Sequence, residues 1–293
     1  MPARESQPLF RSGVEVVTVS VAVRDGRNRV VRNLQKSDFE VLDSGAPTAI
    51  RDFYSGDSPI SLAILLDISG SMAVGGNMTR AREAVSVATM NLRPRQDEVA
   101  LFTFDSKLRE VMAFTGDMNR VYALNLEGTP WGVTSLYDAI EATARKVSER
   151  ANRHRALLVI SDGVDTASRL TAPQVSGVAA SIDVPVYLLT VVNPVDHPDG
   201  EFEVLRGADK AAGSASLVDL AQWTGGDIRF ASVPAHTVAA VRDLFSELRF
   251  QYLITFEPGA RPGWHPLEIR TRKKSLVVHA RSGYVTGPSQ RGT

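Results

Sequence analysis

Apolar runs that stop at polar residues alternate with stretches where apolar side chains recur every three or four positions, a pattern that predicts strands and helices in turn. Residues 61–66 (Ser-Leu-Ala-Ile-Leu-Leu) carry no charge before Asp67, as in a strand buried on both faces of a parallel sheet. A second run, Ala156 to Ser161, ends at Asp162-Gly163; Val99 to Phe104 and Val184 to Val192 read the same way, and Leu108 to Phe114 reads as a shorter strand. Between them, Met78, Ala81, Val85, Ala88 and Leu92 form a helical stripe that Pro94 stops. Leu136, Ala139, Ile140, Thr143 and Val147 form another, with Ser135 placed to cap it and Asp138 in its first turn. Leu217, Leu220 and Ala221 mark a helix ended by Gly225-Gly226, and Val238, Val241, Leu244, Phe245 and Leu248 mark a last one. Strands alternating with helices predict an α/β body: a doubly wound, mostly parallel sheet covered by helices on both sides.

The flanks follow a different period. From Val14 the chain alternates, with Val17, Val19, Val21 and Val23 on one face and Thr18, Ser20 and Ala22 on the other, which predicts a half-buried strand. Asp25-Gly26 and Asp43-Ser44-Gly45 are turn signals around strands at Phe39 to Leu42 and Ala49 to Phe53. After the last helix, Tyr252 to Phe256, Leu267 to Thr271 and Leu276 to His279 read as three strands separated by Pro-Gly and Lys-Lys turns. Neither flank is large enough to bury a comfortable core alone, but together they reach about 100 residues, the size of a β-sandwich. The expected organisation is therefore residues 10–57 and 250–286 as the two halves of a small β-sandwich, with residues 58–249 inserted between them as the α/β domain.

Composition narrows the chemistry. Lysine plus arginine equals aspartate plus glutamate at 33 each, so no global field favours nucleic acid or an anionic membrane. Cysteine is absent, which removes disulfides, thiolate metal sites and cysteine nucleophiles. No uninterrupted apolar run reaches membrane-spanning length, and residues 1–11 are polar without the apolar core of a signal peptide.

The candidate chemistry lies where the first buried strand ends. Asp67, Ser69 and Ser71 alternate beyond its carboxyl end, the place where open α/β sheets bind ligands. Thr134 opens the second helical segment and Asp162 ends the second apolar strand, so three loops bring one carboxylate, two serines, a threonine and a second carboxylate toward one place. An oxygen-only set suits a hard divalent cation, and magnesium commonly leaves part of its shell to water or an outside ligand. For Ser69 to Ser71 alone, a turn capping a helix is the simpler explanation, but it leaves Thr134 and Asp162 without a role.

This constellation resembles the von Willebrand factor type A (VWA) domain with its metal-ion-dependent adhesion site, over about residues 58–249. The resemblance implies that Asp67, Ser69, Ser71, Thr134 and Asp162 hold Mg2+, with Mn2+ or Ca2+ as alternatives, and that an Asp or Glu of a protein ligand completes the shell. Ile68 stands where many relatives have a small polar residue, and Val133 where glycine is frequent. The flanks resemble a bacterial family of VWA-related proteins described mainly from Acidobacteria, through Phe10-Arg11-Ser12-Gly13-Val14, Asp38-Phe39-Glu40-Val41 and Ala280-Arg281-Ser282-Gly283-Tyr284. That likeness implies an extracellular or periplasmic home, although this chain shows no leader and a cytoplasmic one stays open.

The expected function is a non-enzymatic, metal-dependent binding module without nucleic-acid binding or membrane insertion. A metal-dependent hydrolase is the alternative, with Asp105 or Asp165 as general base, and a scaffold with a structural metal is a third reading. The five histidines show no zinc-binding spacing, and no nucleophile elbow or phosphate-binding glycine loop occurs. Residues 193–201, with three acids and a histidine, read as an exposed insertion rather than a second metal site. Trp131 is placed either in the core or on the rim of a binding surface.

Overall fold

The structure, a computed structural model, describes residues 16–192 and 217–287. Its strands are β1 (Val17–Arg24), β2 (Phe39–Asp43), β3 (Ala46–Thr48), β4 (Ile50–Tyr54), β5 (Ile60–Asp67), β6 (Glu98–Phe104), β7 (Leu108–Thr115), β8 (His154–Ser161), β9 (Val186–Val191), β10 (Ile228–Ala231), β11 (Tyr252–Phe256), β12 (Gly263–Thr271), β13 (Val277–Ala280) and β14 (Gly283–Thr286). The helices are α1 (Asn77–Met90), α2 (Met118–Tyr122), α3 (Leu136–Ser148), α4 (Ala172–Ser181), α5 (Leu217–Trp223) and α6 (Pro234–Arg249).

A six-stranded sheet in the order β10-β9-β8-β5-β6-β7 forms the centre. It is mixed, since β7 runs antiparallel to β6 while the other pairs are parallel. All eight residues of β5 are buried, and they alternate between two cores. Ile60, Leu62, Ile64 and Leu66 join the cluster that includes Met78, Ala81 and Val85 of α1 and Val241, Leu244, Phe245 and Leu248 of α6. Ala63 and Leu65 join the opposite cluster with Leu136, Ile140 and Val147 of α3, Val175 of α4 and Leu220 of α5. Because β5 lies between β6 and β8, the chain leaves it in opposite directions, and the crevice beyond its carboxyl end is the topological switch point.

Two four-stranded sheets, β13-β1-β11-β4 and β14-β12-β2-β3, each combine strands from both chain ends. β1 pairs with β11 (Val17 opposite Phe256) and β2 with β12 (Phe39 opposite Thr271). Val19, Val21 and Val23 share one cluster with Phe39, Val41, Ile254, Phe256 and Ile269. The opening motif Phe10 to Val14 and residues 193–201 lie outside the described residues.

β1 departs from the half-buried strand that its alternation predicts: every residue from Val19 to Arg24 is buried. Its polar face packs on the central body. The Ser20 hydroxyl donates to Asp183 Oδ2 at 3.0 Å, and the Arg24 guanidinium donates through Nε to Glu247 Oε2 of α6 at 2.7 Å. The Tyr187 hydroxyl of β9 donates to the other Glu247 oxygen at 2.6 Å, so Glu247, fully buried, has partners on both oxygens. Two residues on, Arg249 pairs with the buried Asp97 at 2.7 Å. The Ile60 amide donates to the other Asp97 oxygen at 3.0 Å, so the end of α6 is tied to the start of β5. Where α5 leads to β10, Gly226 lies so close to β9 that an added Cβ would sit 2.0 Å from the Val186 carbonyl oxygen. No side chain fits there.

Candidate functional site

Asp67 is the last residue of β5 and is completely buried. Its Oδ1 accepts the Ser69 amide at 2.8 Å and its Oδ2 accepts the Ser161 hydroxyl, at the end of β8, at 2.6 Å. Asp67 has no basic partner among the described ion pairs. Burial pushes its carboxyl up to about 6, against the hydrogen bonds from Ser161 and Ser69, and the charge of Asp162 adds to the rise. Asp162 is therefore near enough to Asp67 to be felt.

After Asp67 the chain makes a short 3-10 turn over Gly70–Ala73. Ser69 occupies its N-cap position, yet its hydroxyl makes no capping bond; it lies 3.2 Å from the Ser71 hydroxyl. The serines thus form the expected turn, with Ser69 at its N-cap position, but without a side-chain capping bond. Ser69 is buried and Ser71 is half-buried.

Backbone hydrogen bonds fasten the three loops together. The Trp131 amide donates to the Ile68 carbonyl and the Gly70 amide to the Gly132 carbonyl, both at 2.9 Å. Gly132 has a φ of +91°, a conformation that glycine adopts without strain. The buried Thr134 receives the Thr166 and Ala167 amides on its carbonyl and gives its own amide to the Thr166 hydroxyl at 2.9 Å. Thr134 is thereby joined through Gly132 to the Ser69–Ser71 loop, and through Thr166 to the loop that follows Asp162.

Ser135 stands at the N-cap of α3, as its sequence position predicts, but its side chain does not cap. Asp165 does so from the neighbouring loop, accepting the Leu136 amide at 2.8 Å, while the Ser168 hydroxyl accepts the Tyr137 amide at 3.0 Å. Asp138 in turn accepts the Arg169 and Leu170 amides. These reciprocal bonds fix the 162–170 loop onto α3. Asp165 also accepts the Ser168 hydroxyl at 2.6 Å on the same oxygen, Oδ1, which is thereby engaged in holding the loop to α3. Asp165→Ala should lower stability by about 1–2 kcal/mol, the usual value of a lost cap. A thermal unfolding scan in chelator reads it, and an unchanged midpoint would remove Asp165 from this role.

Asp105, the other acid considered as a base, is paired with Arg109 at 2.9 Å and accepts the Lys107 amide at 2.8 Å. Partial burial would raise its pKa, but those partners hold it below the usual carboxylate value. Sequence reasoning missed Ser161, Thr166 and Ser168 as supports. Only Ser161 had a local signal, being the hydroxyl next to Asp162 at a strand's end. Trp131 is not core: 83% of it is exposed.

Two carboxylates and three hydroxyls thus share one end of the sheet. Among the described residues no group of three or more His, Asp or Glu side chains is placed to hold a metal ion. The candidate set needs none, because hydroxyls are its other donors. A buried carboxylate without a basic partner, next to a second carboxylate, is costly unless a cation or a proton neutralises it, so the residues present fit a hard divalent ion.

Residues 62–164 match the family model described as the von Willebrand factor type A domain. The central body has an α/β fold of the VWA type. The matched stretch includes all five candidate ligand positions. No curated protein matches the chain. Among solved structures, the chain is similar to an aerotolerance-related membrane protein from Bacteroides fragilis NCTC 9343, carrying multiple mutations to serines, at 20% identity and a TM-score of 0.47, covering 64% of this chain and 98% of that one. It is similar at 19% identity and a TM-score of 0.46 to BatB from Bacteroides thetaiotaomicron, covering 63% and 96%. A von Willebrand factor type A protein from Catenulispora acidiphila matches at 13% identity and a TM-score of 0.48, covering 96% and 76%. VWA domains are commonly protein-interaction modules.

Proposed function

We propose that this chain is a non-enzymatic, metal-dependent protein-binding module in which Asp67, Ser69, Ser71, Thr134 and Asp162 hold a divalent cation, Mg2+ first among them. The observation that carries this reading is the buried, base-free Asp67 beside Asp162 and the paired Ser69 and Ser71 hydroxyls. A bound cation would offer a seat for the carboxylate of a partner's Asp or Glu. The chain's own residues do the rest: Ser161 and the Ser69 amide orient Asp67, and the hydrogen bonds among the loops hold the serines and Thr134 in reach. In a water-poor setting a carboxylate seated opposite a cation is favoured where an unpaired one is not, which makes an acid the selected anchor.

The same proposal takes the two outer sheets as one β-sandwich that carries the VWA domain as an insert, in an extracellular or periplasmic protein. No helix among the described residues is long and apolar enough to cross a membrane. The test is capture from an extract of the cells that make the protein. Immobilised full-length chain should retain a partner in magnesium and release it in chelator, and Thr134→Ala should retain at least tenfold less. A partner held equally well in chelator would overturn the metal bridge.

A further inference from the structure

Large apolar side chains usually leave the surface of a small protein singly, so a group of them around one site is informative. Four of the exposed ones stand on the three loops just described: Trp131 (83% exposed), Val74 (67%), Val133 (51%) and Val164 (47%). Each is anchored close to a candidate ligand. The Val74 amide donates to the Ser71 carbonyl at 3.1 Å, and the Val164 amide to Asp162 Oδ1 at 3.3 Å. Trp131 and Val133 flank Gly132, whose carbonyl is bonded to Gly70, and Val133 directly precedes Thr134. These apolar groups are therefore set on the same rigid, hydrogen-bonded frame as the oxygen donors.

Charge sharpens the picture. Residues 68–76, 128–135 and 161–168 contain no lysine or arginine. Of the acids nearby, Asp165 is used by the Leu136 amide and Asp105 by Arg109. Arg80 and Arg82 of α1 reach these loops but are engaged by the Gly75 and Gly128 carbonyls, and the exposed Arg169 lies at the far edge of the third loop. A partner carrying a run of acids would therefore leave most of its charges desolvated without a basic partner. A single acid with apolar neighbours fits: the carboxylate goes to the cation and the neighbours cover the valines and the tryptophan. Aromatic residues exposed at such a place are the usual anchors of binding energy.

We propose that Trp131, Val133, Val164 and Val74 form an apolar rim that selects a protein segment whose single Asp or Glu is flanked by a bulky apolar side chain. The inference rests on the metal-binding reading above and adds the identity of what is bound. It makes Trp131 and Val164 specificity residues that touch the partner and leave the cation alone.

Random peptides displayed on phage, panned on the full-length chain in magnesium and eluted with chelator, supply the probe. Recovered sequences should share one acid with a Leu, Ile, Phe or Trp within two positions. Synthetic peptides should then rank apolar-flanked Asp at least about tenfold tighter than Gly- or Ser-flanked Asp, and Trp131→Ser with Val164→Ser should erase that gap. Calorimetric titration of the same variants with Mg2+ alone should give the wild-type affinity. If the wild-type chain binds no Mg2+, the metal reading fails and this inference with it. If Mg2+ and acidic peptides bind but flanks make no difference, or if acidic runs are enriched, the rim proposal alone is overturned; if Mg2+ binds and panning returns no acidic sequence at all, the acidic anchor fails and the rim proposal with it.

Discussion

Asp67→Asn should make the metal-free chain more stable at pH 7 and leave magnesium without any stabilising effect. Burial holds the folded-state pKa of Asp67 near 6, against an ordinary value of 3.8. Below about pH 4 the carboxyl is neutral in both folded and unfolded chains. Between about pH 4 and 6 the folded chain keeps a proton that the unfolded chain releases, so stability falls as pH rises through that window and stays reduced above it. A displacement of this size corresponds to about 3 kcal/mol at most. Asparagine keeps the shape without the charge. Its oxygen can accept the Ser69 amide, and its NH2 can donate to the Ser161 hydroxyl, which turns from donor to acceptor. The expected gain in chelator is roughly 1–3 kcal/mol by urea unfolding, absent near pH 4. In saturating magnesium the order should reverse, because only the wild type gains binding free energy on folding. An asparagine variant that is less stable in chelator and still responds to magnesium would contradict this account of Asp67.

The second large effect concerns the joint between β1 and α6. Arg24→Ala should cost about 3–5 kcal/mol, because it leaves Glu247 buried with its charge opposed by nothing but the Tyr187 hydroxyl. The double variant Arg24→Met with Glu247→Leu should recover most of that loss, since an apolar pair of similar volume removes the stranded charge. Urea unfolding midpoints of the wild type, the single variant and the double variant separate the two outcomes. A double variant as unstable as the single one would mean that packing of the arginine stem, rather than the charge, is what matters.

What was legible in the sequence followed from how local each signal was. β5 could be read because eight buried residues in a row leave no other explanation, and α3 because its apolar stripe is regular. α4 escaped: Pro173, Ser176 and Gly177 are poor helix formers, and the helix owes its place to Ala172, Val175 and Ala179 buried against the sheet. Its one local signal was the capping box of Thr171 and Gln174. β10, four residues long, was too short to register, and β14 was hidden in the motif that ends the chain.

The site shows the same division. Ligand types and their spacing are written in Asp67-Ile68-Ser69-Gly70-Ser71, in Thr134 and in Asp162, whereas the supports come from contacts distant in sequence. Asp165 serves a helix that begins 29 residues earlier, and Ser161 meets Asp67 across 94. Ser135 looked like the cap because the local pattern holds only local candidates. The buried polar face of β1 was illegible for the same reason, since Ser20 and Arg24 find their partners 163 and 223 residues away.

The most direct test of the central claim is anomalous diffraction from crystals of the full-length chain soaked in Mn2+. A single strong peak should lie within coordination distance of Asp67, Ser69 and Ser71 and within reach of Thr134 and Asp162. A peak elsewhere, or none at saturating manganese, would contradict the assignment of these five residues as a metal site.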